Sequence, residues 1–194
     1  MLDHSEGQNL IMGTTGAGKT RLFDLLIGDW DRHQDQWRWA VFKEDDKTIY
    51  KPVPRDRDQA FSLMDDGAVM NFLTAIMPPI RLIRSYEEEL RDVQWFNLEP
   101  YPLDIALIRE SDRSVWNEQV RFITSHLTDD VIDKAFSLFP NEVKGKAVQD
   151  IKRKLQGRRS NLQKIADEYY KIINKYAIVK GTDKDDWFDI ERMP

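Results

Sequence analysis

The chain contains no cysteine among its 194 residues. That absence excludes a disulfide framework, a zinc ribbon and thiol catalysis. No apolar run approaches the roughly 18 residues read as a membrane-spanning helix. No basic segment with an apolar run and a small-residue cleavage site opens the chain, so it carries no signal-peptide pattern. Positive charge is also in short supply. Against 34 acidic side chains stand 29 basic ones, a formal net charge of −5, which argues against a protein whose main task is to coat nucleic acid. Internal repeats and low-complexity tracts are missing as well. What is present is an ordinary soluble balance, 41% hydrophobic and 32% charged, in a length that suits one domain with a real core. Tryptophan is abundant, and five of the six (Trp30, Trp37, Trp39, Trp95 and Trp116) fall between positions 30 and 116.

The patterning predicts a mainly α fold with one β-hairpin, an α+β arrangement. An amphipathic helix runs through RLFDLLIGDW, with Leu22, Phe23, Leu25, Leu26 and Ile27 clustered on one side and Gly28 as its stop. Residues 37–53 read as a hairpin. QWRWAVF and TIYKPV flank the polar turn KEDDK, Trp37, Trp39 and Val41 alternate onto one face, and Pro52 and Pro54 close the second strand. Helices are expected over about 59–76, 80–92, 115–126 and 129–138, the last capped by Thr128. A long helix starts near Asn141. Its apolar positions Val148, Ile151, Leu155, Leu162, Ile165, Tyr169, Ile172 and Tyr176 step by three and four, with a kink or restart at Gly157 and Ser160. It reads as a helix lying on its own core rather than a two-chain coiled coil, with Lys152, Arg153, Lys154, Arg158 and Arg159 as a solvated face. The tail GTDKDDWFDIERMP reads as a turn and a strand whose partner lies in a longer protein.

Residues 13–20, Gly-Thr-Thr-Gly-Ala-Gly-Lys-Thr, match G-x-x-x-x-G-K-[ST] at every position. In that pattern Gly13, Gly16 and Gly18 allow amides to turn inward around phosphate oxygens. The following helix N-terminus adds partial positive charge. Lys19 reaches the β- and γ-phosphates and Thr20 ligates magnesium. The competing reading is a glycine-rich turn ahead of a helix. The segment NLIMGTTGAGKT resembles the Walker A of P-loop ATPases, particularly the DNA-pumping and conjugation type. A complete fold of that kind also needs an apolar strand ending in a magnesium-holding acid. The nearest segment, LDIALIRE over residues 103–110, puts Arg109 before Glu110. The mostly helical remainder does not alternate strands with helices as a parallel sheet requires.

A second signal follows the first helix. Residues 29–36 are Asp29-Trp30-Asp31-Arg32-His33-Gln34-Asp35-Gln36, and beyond the hairpin come Arg55-Asp56-Arg57-Asp58. An acid to orient or deprotonate a hydroxyl, an amide oxygen and a further acid across a hairpin are a set that magnesium-assisted phosphoryl transfer uses. A charged structural loop is the alternative. Three aspartates within seven residues, Asp29, Asp31 and Asp35, repel unless cations or Arg32 neutralise them. A metal-dependent nuclease built on Asp29, Asp31, Asp56 and Asp58 is a weaker reading, because no matching lysine motif accompanies it.

The loop resembles the D-R-H-x-x-N pattern of atypical kinase-like families, which include phosphoinositide kinases, bacterial toxin kinases and secretory-pathway kinases. The resemblance implies that Asp31 is the catalytic aspartate, with Arg32 and His33 beside it. Gln36 then stands in the place of the metal-binding asparagine, and Asp56 or Asp58 is the second metal ligand. Over residues 21–194, and most specifically over 21–61, the chain also resembles a kinase-like region of Bacteroidetes envelope proteins that accompanies calcineurin-like metallophosphoesterase domains. That likeness implies a helical C-lobe, ATP and Mg2+ as cofactors, a metallophosphoesterase or outer-membrane partner, and a periplasmic or envelope setting; without it the setting is cytoplasmic. No kinase N-lobe pattern is found, so the expected fold is partial. The division expected is a P-loop-like segment over 1–20, a kinase-like helical domain over 21–180 and the start of a further strand or domain over 181–194. Two unlike resemblances meet at Thr20 and Arg21, which reads as a fusion joint.

Overall fold

A computed structural model describes residues 10–12, 14–45, 47–64, 72, 76–77, 84–109, 111–176 and 183–189. The fold is mixed α/β and mostly helical, as expected. Strands β2 (Trp37–Glu44) and β3 (Lys47–Pro54) form the predicted hairpin, paired from Glu44 opposite Lys47 to Trp37 opposite Pro54. β-Branched and aromatic side chains favour these strands. Asp45, at φ 53°, takes the left-handed conformation in the tight connection. A short strand β1 (Leu10–Met12) adds in parallel to β3, giving the order β1-β3-β2. Its partners on β3 are Thr48, Ile49 and Tyr50. Pro52 and Pro54 fall beyond that stretch, where a missing N–H is tolerated.

Helix α1 (Thr14–Ile27) is the central element of the body. Leu22, Leu25, Leu26 and Ile27 are buried, while Phe23 is partly exposed. Four short or medium helices follow: α2 (Val93–Phe96), α3 (Tyr101–Leu107), α4 (Arg113–His126) and α5 (Asp129–Ser137). The C-terminal pair is α6 (Lys146–Ser160) and α7 (Leu162–Ile173). α1 packs on α4 and α7, and Trp116 of α4 meets Tyr169 of α7 with ring centroids 5.5 Å apart. The apolar stripe read from the sequence faces this core: Val148, Leu155, Leu162, Ile165 and Tyr169 are all buried. The predicted restart falls at Asn161 between the two helices. Thr128 caps α5, accepting from the Val131 amide at 3.3 Å.

Several expectations are corrected. The long helix begins at Lys146, because Asn141–Val143 is only a 3-10 turn. Of the helices expected over 59–76 and 80–92, residues 59–64 and 84–92 are turns and irregular chain, while Phe72 and Ile76 are helical as expected; 65–71, 73–75 and 78–83 lie outside the described residues. The reason is visible at the C-terminal end of α1. An α-helix leaves its last four carbonyls without intrahelical donors. Here Asp29 N donates to Asp24 O at 2.9 Å and Phe61 N to Ile27 O at 3.0 Å. The Tyr86 hydroxyl donates to Leu26 O at 2.9 Å, and Arg158 Nη1 to Leu25 O at 3.1 Å. The two irregular segments thus supply caps for α1, and their own backbone is held by side chains. Arg158 also donates to the carbonyls of Glu87 and Glu89. Arg158 and Lys154 are buried, so the basic cluster on α6 is not wholly a solvated face.

Residues 103–110, the nearest approach to a magnesium-holding strand, belong instead to helix α3 through Leu107; Glu110 lies outside the described residues. Residues 185–189 form no strand, and 190–194 lie outside the described part. α1 runs without a break through Thr20 and Arg21, so the proposed fusion joint is mid-helix. Among the described residues no helix is long and apolar enough to cross a membrane.

Gly28 closes α1 at φ 75°, with Asp29 donating five residues back to Asp24 in a Schellman arrangement. A Cβ there would sit 2.7 Å from Tyr86 Cδ2. Gly28→Ala should therefore lower stability by about 2–4 kcal/mol, from left-handed strain plus overpacking. Gly145→Ala, where a Cβ meets nothing within 4 Å, should cost under about 1 kcal/mol. Urea denaturation of the two variants checks the contrast.

Candidate functional site

The acid-rich loop leaves α1 at Gly28 and is organised around one side chain, Arg32, which is completely buried. Its Nη1 donates to Arg55 O at 2.5 Å and to Asp56 O at 2.7 Å. Its Nη2 donates to Gln36 O at 3.1 Å. The guanidinium lies 4.9 Å from the Trp37 ring. Arg55 N adds a backbone bond to Gln36 O at 2.8 Å. A planar fork with several fixed donors suits this bridging, which a lysine could not reproduce. The consequence is that residues 31–36 and 55–58, separated in sequence by the hairpin, lie side by side.

The charge on Arg32 is met from the helix side. Its Nε lies 3.7 Å from Asp24 Oδ2 and its Nη1 3.5 Å from Asp29 Oδ2. Arg57 completes the group, 2.5 Å from Asp24 Oδ1 and 3.6 Å from Asp29 Oδ2. Asp24 and Asp29 are fully buried. Burial pushes both carboxyls up, Asp24 against the pull of Arg21, Arg57 and Arg32. Asp29 rises to about 6, through burial first and the neighbouring Asp24 charge second. Burial pulls Arg32 down.

The sequence-predicted site residues fall into three settings. Asp31 and His33 are partly exposed on the loop, with His33 Nε2 3.8 Å from Asp31 Oδ1. His33 Nδ1 accepts from the Asp35 amide at 3.3 Å. Gln36 contributes its carbonyl to the Arg32 clamp. Asp56 does the same at φ 49°, a left-handed conformation, and the side chains of Asp56 and Asp58 are exposed. The structure therefore brings the two loop segments together. Among the described residues no group of three or more acids or histidines is positioned to hold a metal ion.

The glycine-rich segment is placed differently. Gly13 lies outside the described residues. Thr14 begins α1, so Gly16 and Gly18 are helical. In an α-helix the amides of Gly18, Lys19 and Thr20 donate to the carbonyls four residues earlier, and the wrap expected around a phosphate is replaced by the first turns of a helix. Lys19 and Thr20 line a groove shared with Pro54 and Arg57, rather than the Arg32 clamp.

A second buried polar group was not foreseen. Arg21 Nε is 3.0 Å from Asp104 Oδ2 and 3.2 Å from the Tyr169 hydroxyl. That hydroxyl also lies 2.8 Å from Asn97 Oδ1 and within hydrogen-bond reach of Asp104 Oδ2. One tyrosine proton cannot serve both acceptors. A protonated Asp104 donating to Tyr169, which donates to Asn97, satisfies the chain. Consistently, burial raises the Asp104 carboxyl to about 7 despite Arg21. The available sequence signal was the pair Arg21 and Asp24, two charged residues inside the apolar run of α1.

Comparison with protein-family models, with curated proteins and with solved structures gives no significant match for this chain.

Two outcomes follow from this geometry. Arg32→Lys keeps the charge but loses the fork, and should lower stability by about 2–3 kcal/mol in chemical denaturation. Asp104 has an ordinary value of 3.8 in the unfolded chain and about 7 when folded. Folding therefore takes up a proton in that window, so the contribution of the neutral acid is present at low pH and lost as pH rises from 3.8 through about 7. The stability of the wild type minus that of Asp104→Asn should fall over that range in pH-dependent urea melts. A difference that rises would refute the assignment.

Proposed function

We propose that residues 31–36 and 55–58 form the phosphate and magnesium end of an atypical kinase-like helical lobe, acting on ATP or another phosphate ester. The observation that supports this most is the Arg32 clamp, which sets the two segments edge to edge as the D-R-H-x-x-N resemblance requires. In this reading Asp31 orients or deprotonates the accepting hydroxyl, with His33 beside it. Gln36 and Asp58, or Asp56, hold Mg2+, and Arg32 positions both segments without touching the ligand. The donor set fits magnesium only as an ion shared with a nucleotide. Mg2+ is usually held by one or two carboxylates together with substrate phosphates and water, which two exposed aspartates and an amide can supply. When bound, the ion neutralises charge on the bridging phosphate oxygens. The chain's own part is to present fixed oxygens on a rigid clamp. The partner in this reading is a metallophosphoesterase or outer-membrane neighbour in the bacterial envelope.

A nucleotide-binding P-loop is the second reading. It draws support from Lys19 and Thr20 facing a common groove, although the residues that should wrap phosphate are helical. Calorimetric titration with Mg-ATP separates the two. Asp58→Asn combined with Asp56→Asn should weaken magnesium-dependent binding by about tenfold or more, while Lys19→Met leaves it unchanged. Loss confined to Lys19→Met would transfer the function to the P-loop. No binding by the wild type would leave a non-catalytic docking module.

A further inference from the structure

We propose that the groove between α1, the C-terminal end of α4 and residues 54–57 binds a small organic anion with an aromatic or branched apolar body, a phosphate monoester being the best match. This goes beyond the phosphoryl-transfer reading and does not depend on it. The groove has a volume of about 380 Å³, within the range of small-molecule sites, which are mostly apolar with a few placed polar groups.

Its chemistry is one-sided. Among the described residues the lining includes Lys19, Arg57 and His126 and no carboxylate, on a chain whose net charge is −5. These groups are held in position. Lys19 Nζ lies 3.6 Å from the centroid of the Phe122 ring. His126 stacks on the same ring at 4.1 Å with planes 23° apart. His126 Nδ1 lies 2.8 Å from Phe122 O, which leaves Nε2 as the other polar atom of the ring. His126 is also the last residue of α4. On the opposite wall the Arg57 guanidinium sits over the Phe23 ring at 5.4 Å and is anchored to Asp24 Oδ1 at 2.5 Å.

Two aromatic rings, Phe23 at 39% and Phe122 at 41% exposure, are thus kept partly open beside fixed cations. An anion alone would find charge here but leave both rings wet. A neutral apolar molecule would cover the rings but bring no anion to Lys19 and Arg57, which rest on those rings. A ligand combining the two satisfies both walls, because aromatic contact adds to area burial and charge-assisted hydrogen bonds from Lys and Arg fix the anionic end.

The test uses phenyl phosphate as probe, with inorganic phosphate and phenol as its two halves, followed by NMR titration of the full chain. Phenyl phosphate should bind at least about tenfold more tightly than either half. Lys19→Met and Phe122→Ala should each weaken it by about fivefold or more, with circular dichroism unchanged. Both side chains are partly exposed, and Lys19→Met alone suffices if Phe122→Ala does not fold. Equal affinity for inorganic phosphate and phenyl phosphate, or binding insensitive to Lys19→Met, would overturn the proposal. Asp58→Asn lies outside the lining and should keep phenyl phosphate binding even where Mg-ATP binding is lost, so the two proposals fail separately.

Discussion

The buried guanidinium of Arg32 is the constraint on which the candidate site depends. Three backbone carbonyls from two chain segments converge on it, and two buried carboxylates lie on its other side. Removing an ion from water is expensive, and the penalty is offset only when geometry is good and the remaining donors are satisfied. Here Nη1 and Nη2 donate to carbonyls, while Nε has no hydrogen-bond partner and faces Asp24 by charge alone. The same requirement explains why the hairpin ends where it does. Gln36 and Arg55 flank the pair Trp37 and Pro54, so the hairpin mouth is closed by the Gln36–Arg55 backbone bond and the Arg32 clamp together.

The clamp in turn rests on α1. Asp24 lies within that helix and Asp29 just after its glycine stop, and the helix end is held by caps from Phe61, Tyr86 and Arg158. Those caps come from parts of the chain far apart in sequence, and Arg158 alone ties α6 to α1 and to residues 87–89. The polar interior is therefore a set of staples between segments that do not continue one another's secondary structure. The three buried or half-buried arginines around α1 (Arg21, Arg32 and Arg57) face three buried acids (Asp24, Asp29 and Asp104).

How much of this was legible in the sequence follows from the range of each interaction. The hairpin, α4, α5 with its Thr128 cap and the restart at Asn161 are written in local periodicity and capping residues, and they were readable. Residues 59–64 and 84–92 were misread as helix because their apolar and charged side chains have a helical look. Their backbone is instead consumed in capping α1, a long-range use that no local window contains. The run LDIALI, the nearest approach to a magnesium-holding strand, is apolar enough for strand or helix, and Pro100 at the N-cap with Pro102 in the first turn suits a helix. In the site, Arg32 was singled out as the group that would neutralise its aspartates. Arg57 and Asp24, its partners in the same cluster, were passed over because one sits in a charged loop and the other in an apolar helix.

The aspartates divide by exposure in a way that bears on chemistry. Asp24 and Asp29 are sealed and already engaged with Arg32 and Arg57, so they act on any ligand only through those arginines. Asp31, Asp35, Asp56 and Asp58 reach solvent, so among the aspartates these are the ones open to a ligand. A buried acid beside an arginine holds its partner's position, while an exposed acid on the same rigid frame remains available. The loop that looked overcharged in sequence is therefore two layers, one that fixes the backbone and one that faces outward. The outer layer inherits its geometry from the inner one, and the Arg57 guanidinium belongs to both the inner layer and the wall of the adjoining groove. Arg57 thus ties the buried acids to an open surface, pairing with Asp24 and Asp29 while lining the groove.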